Sequence, residues 1–306
     1  MSDKEAPKLA YLGHGPEGTK KPLSLRKSTK TKKVQKSTTS QKRSLKVPDI
    51  SIQTSSQEQE ETVQRQKAQI EQIAKDNNVV FKPNPGPQST FLAASEREVL
   101  YGGAAGGGKS LAMLADPLRY MGHPQFSGLL LRHTTEELRE LIWKSQELYP
   151  RIYPGIKWSE RKMQWQAPSG ARLWFSYLDR DEDVLRYQGL SFSWVGFDEL
   201  TQWSTPFAWN YMRSRLRSTA PDLPTYMRAT TNPGGPGHVW VKKMFIDPSP
   251  AGRAFWATDI DTGDTLSYPK GHSKEGQPLF KRRFIPAMLS DNPYLAEGGD
   301  YETMLL

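Results

Sequence analysis

From residue 98 onward the apolar positions come in short runs that switch between strand and helix spacing. Glu98-Val99-Leu100-Tyr101 has strand character, and Ser110 to Tyr120 follows with helical spacing. Gly128-Leu129-Leu130-Leu131 is an apolar run that suits a parallel strand buried on both faces. Thr134 or Thr135 caps the next helix, which turns Leu138, Leu141, Ile142 and Leu148 inward. Met163 to Gln166, the turn Pro168-Ser169-Gly170, and Ala171 to Tyr177 predict a β-hairpin. Beyond it lie a strand over Ser193 to Phe197, a helix over Pro206 to Arg215 and a strand over Thr225 to Thr230. Two late strands are expected over Arg253 to Ala257 and Arg282 to Ile285. Strands alternating with helices predict a doubly wound α/β fold, a mainly parallel sheet with helices on both faces.

Upstream the pattern changes twice. Glu58 to Lys75 has helical spacing through Val63, Ile70, Ile73 and Ala74, and Asn77-Asn78 ends it. Phe81-Lys82-Pro83-Asn84-Pro85-Gly86-Pro87-Gln88 then predicts a rigid, proline-locked loop. Residues 1–56 are rich in Lys, Ser, Thr, Pro and Gln and almost free of aromatics, so they are expected to form a disordered basic arm. Residues 57–306 are assigned to one nucleotide-binding domain, with its N-terminal helix and the start of a C-terminal linker.

The 306-residue chain has a net charge of +9. Residues 1–50 carry 13 Lys and Arg against 4 Asp and Glu, while the remainder is balanced at 29 of each. The folded part is therefore not a uniformly basic nucleic-acid binder. The arm either touches phosphate backbones without reading sequence or is a solvated linker. With no cysteine, disulfides and thiolate metal sites are excluded. No run of about eighteen apolar residues is present, so no membrane span is expected.

The chemistry concentrates at Gly103-Ala104-Ala105-Gly106-Gly107-Gly108-Lys109-Ser110, which fits G-x-x-x-x-G-K-[ST]. Glycines let backbone N–H groups close around phosphate oxygens, Lys109 reaches the β- and γ-phosphates, and the Ser110 hydroxyl sits on Mg²⁺. A partner strand, Trp194-Val195-Gly196-Phe197, ends in Asp198-Glu199. Asp198 is the expected metal-orienting acid, and Glu199 the expected general base for water. Gln88 has an amide suited to two-point contact with adenine, with Phe81 or Phe91 to stack on the base. Thr230-Thr231-Asn232-Pro233-Gly234-Gly235 follows a strand, where ligands sit in open α/β sheets.

These pieces, in this order, resemble the ATPase portion of tailed-phage terminase large subunits. The likeness runs from about Phe81 to the C-terminus. It rests on Pro85-Gly86-Pro87-Gln88, Gly102 to Ser110, Asp198-Glu199, Thr230 to Pro233, Arg283 to Ala287 and Asp291-Asn292-Pro293. The resemblance implies a P-loop NTPase of RecA/ASCE type that uses ATP and Mg²⁺. Gln88 would be the adenine-sensing residue. Thr230, Thr231 and Asn232 would be the coupling motif that senses the γ-phosphate. Arg186 is the candidate for an arginine acting on a neighbouring subunit, with Arg213 and Arg215 as runners-up. The implied partners are double-stranded DNA, a portal protein, a small terminase subunit and further copies of this chain in a ring. The implied location is the host cytoplasm, with transient docking on the procapsid. No acidic cluster follows the motor motifs, so DNA cleavage is not expected of this chain. A helicase-like remodelling ATPase and a nucleotide-binding tether without turnover are the alternative readings.

Overall fold

The computed structural model describes residues 8–9, 60–65, 67–68, 79–103, 106, 108–288 and 291. The basic arm lies outside them except for Lys8–Leu9, which pair parallel to Val79–Phe81. The expected helix over Glu58 to Lys75 is helical at 60–65 and 67–68, and its remainder lies outside the described residues.

One nine-stranded sheet organises the domain. Its strands are β1 (Glu98–Gly103), β2 (Ser127–Arg132), β3 (Lys157–Ser159), β4 (Gln164–Gln166) and β5 (Arg172–Tyr177), then β6 (Trp194–Phe197), β7 (Tyr226–Thr231), β8 (Ala254–Trp256) and β9 (Lys281–Ala287). They lie in the order β8-β9-β1-β7-β6-β2-β5-β4-β3. The six central strands from β9 to β5 are mutually parallel, while β8 and β4 pair antiparallel at the flanks. Strand β7 sits between the strand leading into the glycine loop and the strand ending in the acid pair.

Side chains alternate across each strand, so the central strands feed two cores. Val99, Tyr101, Leu130 and Phe175 join α2 (Lys109–Ala115) and α3 (Thr135–Ile152) on one face. Leu100, Leu129, Leu131, Val195 and Phe197 join α4 (Phe207–Arg213) and α5 (His238–Val241) on the other. This is the expected α/β sheet with helices on both faces. Thr134 is the cap of α3. Its side chain accepts from Glu137 N–H while the Glu137 carboxylate accepts from Thr134 N–H, a capping box.

Several expectations need correction. Gln88 does not lie in a loop. Pro87 opens a helix, α1 (Pro87–Ala93), because its fixed φ suits the first helical position and its missing N–H costs nothing there. Phe91 is buried in the core and stacked on Tyr101 at 5.2 Å, and Phe81 is buried in the same core, so neither is placed to stack on a base. The helix after the glycine loop becomes a 3₁₀ turn over Asp116–Tyr120, where Pro117 cannot supply the next α-helical N–H. The hairpin forms as expected, but β3 adds a further strand to its edge.

Candidate functional site

Parallel register brings four strand ends into line. Gly103 ends β1, and its neighbour Gly102 pairs with Thr231 on β7. Phe197 pairs with Ala229 on β7 and with Leu131 on β2, so Asp198 emerges between Thr230 and Arg132. Side chains more than sixty residues apart in sequence meet along this edge.

The glycine loop is held from both sides. Gly103 has φ of +137°, and a Cβ there would lie 2.0 Å from the Ala287 carbonyl oxygen of β9. Gly108 has φ of +71°, and a Cβ would lie 2.6 Å from Gln88 Nε2. That Nε2 donates to the Gly108 carbonyl at 2.9 Å, while Gln88 Oε1 accepts from Asn84 N–H at 2.6 Å. Gln88 thus ties the start of α1 to the loop. Ala104, Ala105 and Gly107 lie outside the described residues. Lys109 opens α2, is buried, and directs Nζ toward the Gly103 carbonyl at 3.5 Å. Burial lowers its pKa against the opposing pull of Glu199 and Asp198, which places both acids within its field. Ser110 follows it, half-buried.

Asp198 is fully buried. One carboxylate oxygen accepts from Thr230 Oγ1 and the other from Arg132 Nη1. Arg132 also reaches Glu137 at 3.4 Å, linking the acid pair to the capping box of α3. Burial disfavours the Arg132 charge, but Asp198, Glu137 and Glu199 outweigh it and raise its pKa. Arg132 went unnoticed in the sequence. The available signal was its place directly after an apolar strand, level with the acid pair.

Glu199 is a non-glycine residue in the left-handed region, at φ 61° and ψ 57°. That conformation costs about 1–2 kcal/mol. Three hydrogen bonds offset it. Glu199 N–H donates to Thr230 Oγ1 at 3.0 Å, and Asn232 donates from Nδ2 to Oε1 at 2.8 Å and from its backbone N–H to Oε2 at 3.1 Å. The two bonds to the carboxylate contribute roughly 1.5–3 kcal/mol each, so the strained turn is held. Burial and the neighbouring Asp198 push the Glu199 carboxyl above the usual range, against the opposing influence of Arg132, Lys109 and the Asn232 N–H. A carboxylate with a raised pKa beside a lysine suits a general base.

The Thr230-Thr231-Asn232 segment also reaches away from the acids. Thr231 Oγ1 donates to Thr201 Oγ1 at 2.9 Å, and Gly237 N–H donates to the Thr201 carbonyl at 2.8 Å. Trp240 Nε1 donates to the Trp203 carbonyl at 2.8 Å, and a Cβ on Gly237 would lie 2.0 Å from that same oxygen.

The donor set fits a nucleotide triphosphate with a hard divalent cation. The glycine cradle has no room for side chains at Gly103 and Gly108, and the oxygens of Asp198 and Ser110 are of the type magnesium takes. The Asp198 carboxylate already faces a cation, the Arg132 guanidinium. Lys109, Asp198, Glu199, Thr230 and Asn232 are brought together, with Gln88 behind the loop. Arg186 is not. It lies exposed on a 3₁₀ turn (Asp181–Tyr187) after β5, donating to the Asp183 and Tyr177 carbonyls at 2.9 and 3.0 Å. Arg213 is bonded to Glu98 at the opposite end of the sheet, and Arg215 lies over the Tyr211 ring.

Among the described residues, no helix is long and apolar enough to cross a membrane. The family model described as phage terminase large subunit matches residues 95–269. Among solved structures, the large terminase of a thermophilic bacteriophage is similar at 16% identity and a TM-score of 0.49, over 71% of this chain and 50% of that one. The complex of that same terminase with ADP is similar at 16% identity and 0.49, over 72% and 49%. The large terminase ATPase domain of Thermus phage P74-26 is similar at 12% identity and 0.48, over 74% and 89%. The chain spans about half the length of the first of these proteins. No curated protein matches the sequence.

Proposed function

Because this chain belongs to the phage terminase large subunit family, we propose that it hydrolyses ATP to drive double-stranded DNA into a viral procapsid. The observation that carries this reading is the meeting of Lys109, Asp198, Glu199 and Asn232 at one edge of the sheet. Lys109 holds the β- and γ-phosphates, and Ser110 and Asp198 hold Mg²⁺. When bound, the ion neutralises charge on the phosphate oxygens. Glu199 accepts a proton from the attacking water. Gln88 reads the adenine edge. Each of its amide atoms keeps one further hydrogen-bonding valence after bonding to Gly108 and Asn84. Thr230, Thr231 and Asn232 report the state of the γ-phosphate to the rest of the motor.

In the same proposal the chain works as a ring of identical subunits in the host cytoplasm, docked on a portal and served by a small terminase subunit. Arg186 supplies charge to a neighbour's phosphate, and its exposure leaves it accessible for that. Steady-state hydrolysis by Lys109→Ala and Glu199→Gln tests the site. Both variants are expected to lose turnover, and Glu199→Gln to keep ATP binding. Wild-type turnover in either would reject the assignment.

A further inference from the structure

At the other end of β1 from the glycine loop lies a second concentration of positive charge. Glu98, the first residue of β1, is fully buried, and its carboxylate accepts from Arg213 Nε and, at 2.7 Å, from Arg282 Nε. Arg97 stands beside them. The Arg97, Arg213 and Arg282 guanidiniums lie 5.7, 5.5 and 5.7 Å from the centroid of the Phe280 ring. Three cations therefore gather around one aromatic ring, and two of them hold the Glu98 carboxylate.

Arg97 is the one left over. Its Nε is buried and, among the described residues, has no hydrogen-bond partner. Burial lowers its pKa, Glu98 opposes that, and Arg213 adds repulsion. Two acids of the neighbouring loop are engaged with backbone donors. Asp259 accepts from the N–H groups of Asp261 and Thr262, and Glu275 accepts from Gly271 N–H. Arg97 and Arg213 open onto a cavity of about 320 Å³ whose lining also includes Asn210, Ser214, Tyr268 and Phe280.

Arg97 is half-buried and shares one carboxylate with two other arginines, and a guanidinium donor left without an acceptor is costly. We propose that this cavity binds a phosphate oxyanion, with Arg97 as its main ligand and Arg213, Asn210, Ser214 and Tyr268 around it. Guanidinium matches phosphate in geometry as well as charge. The site is separate from the nucleotide site: the six residues of β1 span roughly 17 Å between Glu98 and Gly103. A triphosphate at the loop does not reach it. The phosphate comes either from a DNA backbone or from a free phosphate compound.

The test uses the full chain with saturating ADP, so that the glycine loop is filled. A short DNA duplex and inorganic pyrophosphate are the probes, and Arg97→Met removes the charge while keeping length. If DNA is the source, duplex affinity falls about tenfold and the log–log salt slope shrinks by about one. If a free phosphate compound is the source, duplex binding is unchanged and the thermal shift caused by pyrophosphate disappears. Wild-type values for both probes would overturn the proposal. Ligand-free Arg97→Met is expected to melt at or above the wild-type temperature, because it removes a half-buried charge that Arg213 repels. A fall of several degrees would show that Arg97 is already paired within the fold, and would overturn the proposal equally.

Discussion

Asn232 holds both carboxylate oxygens of Glu199, one through its side-chain amide and one through its backbone N–H. The residue expected to sense the γ-phosphate is therefore bonded to the residue expected to activate water. Any shift of Asn232 bears on the Glu199 carboxylate, and any change in the charge of Glu199 is felt by Asn232.

Asn232→Ala removes the Nδ2 donor, a charge-assisted bond of about 1.5–3 kcal/mol. Turnover is expected to fall at least tenfold with nucleotide affinity largely kept. Single-turnover hydrolysis alongside equilibrium ATP binding checks this. Equal losses in both would place Asn232 in binding rather than in catalysis.

The same variant has a pH signature. The Glu199 pKa is raised by burial and Asp198, and the proposed base role needs its charged form, so turnover is expected to fall as pH drops through that pKa. Donors to the carboxylate favour the charged form. Asn232→Ala is therefore expected to move the acid limb of the pH–rate profile to higher pH. A limb that stays in place would remove Glu199 as the titrating group.

Gln88→Ala is expected to weaken ATP binding and narrow the preference for ATP over GTP, because it removes both the prop under Gly108 and the proposed adenine contact. Competition binding with the two nucleotides reads this directly. A uniform loss for both would leave only the prop.

Glu98 gives an acid-stability prediction. Burial alone would raise its pKa, but Arg213 and Arg282 outweigh burial and hold it below the ordinary value. A depressed folded pKa means that the stabilisation is complete above about pH 4.3, the unfolded value, and is lost as pH falls through the folded one. Glu98→Gln strands the buried Arg282 guanidinium and leaves the half-buried Arg213 without its partner, and is expected to cost about 3–5 kcal/mol at neutral pH. The variant should also flatten the acid limb of the stability curve, as denaturant titrations at several pH values would show.

Gly103→Ala would drive a Cβ into the Ala287 carbonyl at a positive φ, and is expected to cost about 3 kcal/mol or more. Gly276→Ala, also at positive φ but facing open space, should cost only about 1 kcal/mol. Similar losses in chemical denaturation would mean that backbone conformation, not the close approach of β1 to β9, sets the requirement.

The central strands were legible because both their faces are buried, which leaves apolar runs such as Gly128-Leu129-Leu130-Leu131. The chemical motifs were legible because glycine, lysine and paired acids are rare in that order. Other parts were hidden for physical reasons. The three-residue β3, Lys157–Ser159, carries no continuous apolar signal and pairs only at an edge. Three prolines before Gln88 pointed to a loop, although Pro87 marks the first position of a helix. Arg132 looked like any surface charge until the register of β2 and β6 set it against Asp198. Arg213 looked available in sequence, yet it is bonded to a buried acid at the far end of the sheet.

The path from Asn232 through Thr231 and Thr201 to the turn at Gly237 has a mechanical meaning. Backbone lies against backbone there so closely that even a methyl group at Gly237 has no place. Such a joint has no backlash. If Glu199 acts as proposed, a rearrangement there would be handed on to the segment carrying Trp240 as displacement rather than dissipated as slack, which is what the proposed conversion of bond cleavage into travel requires.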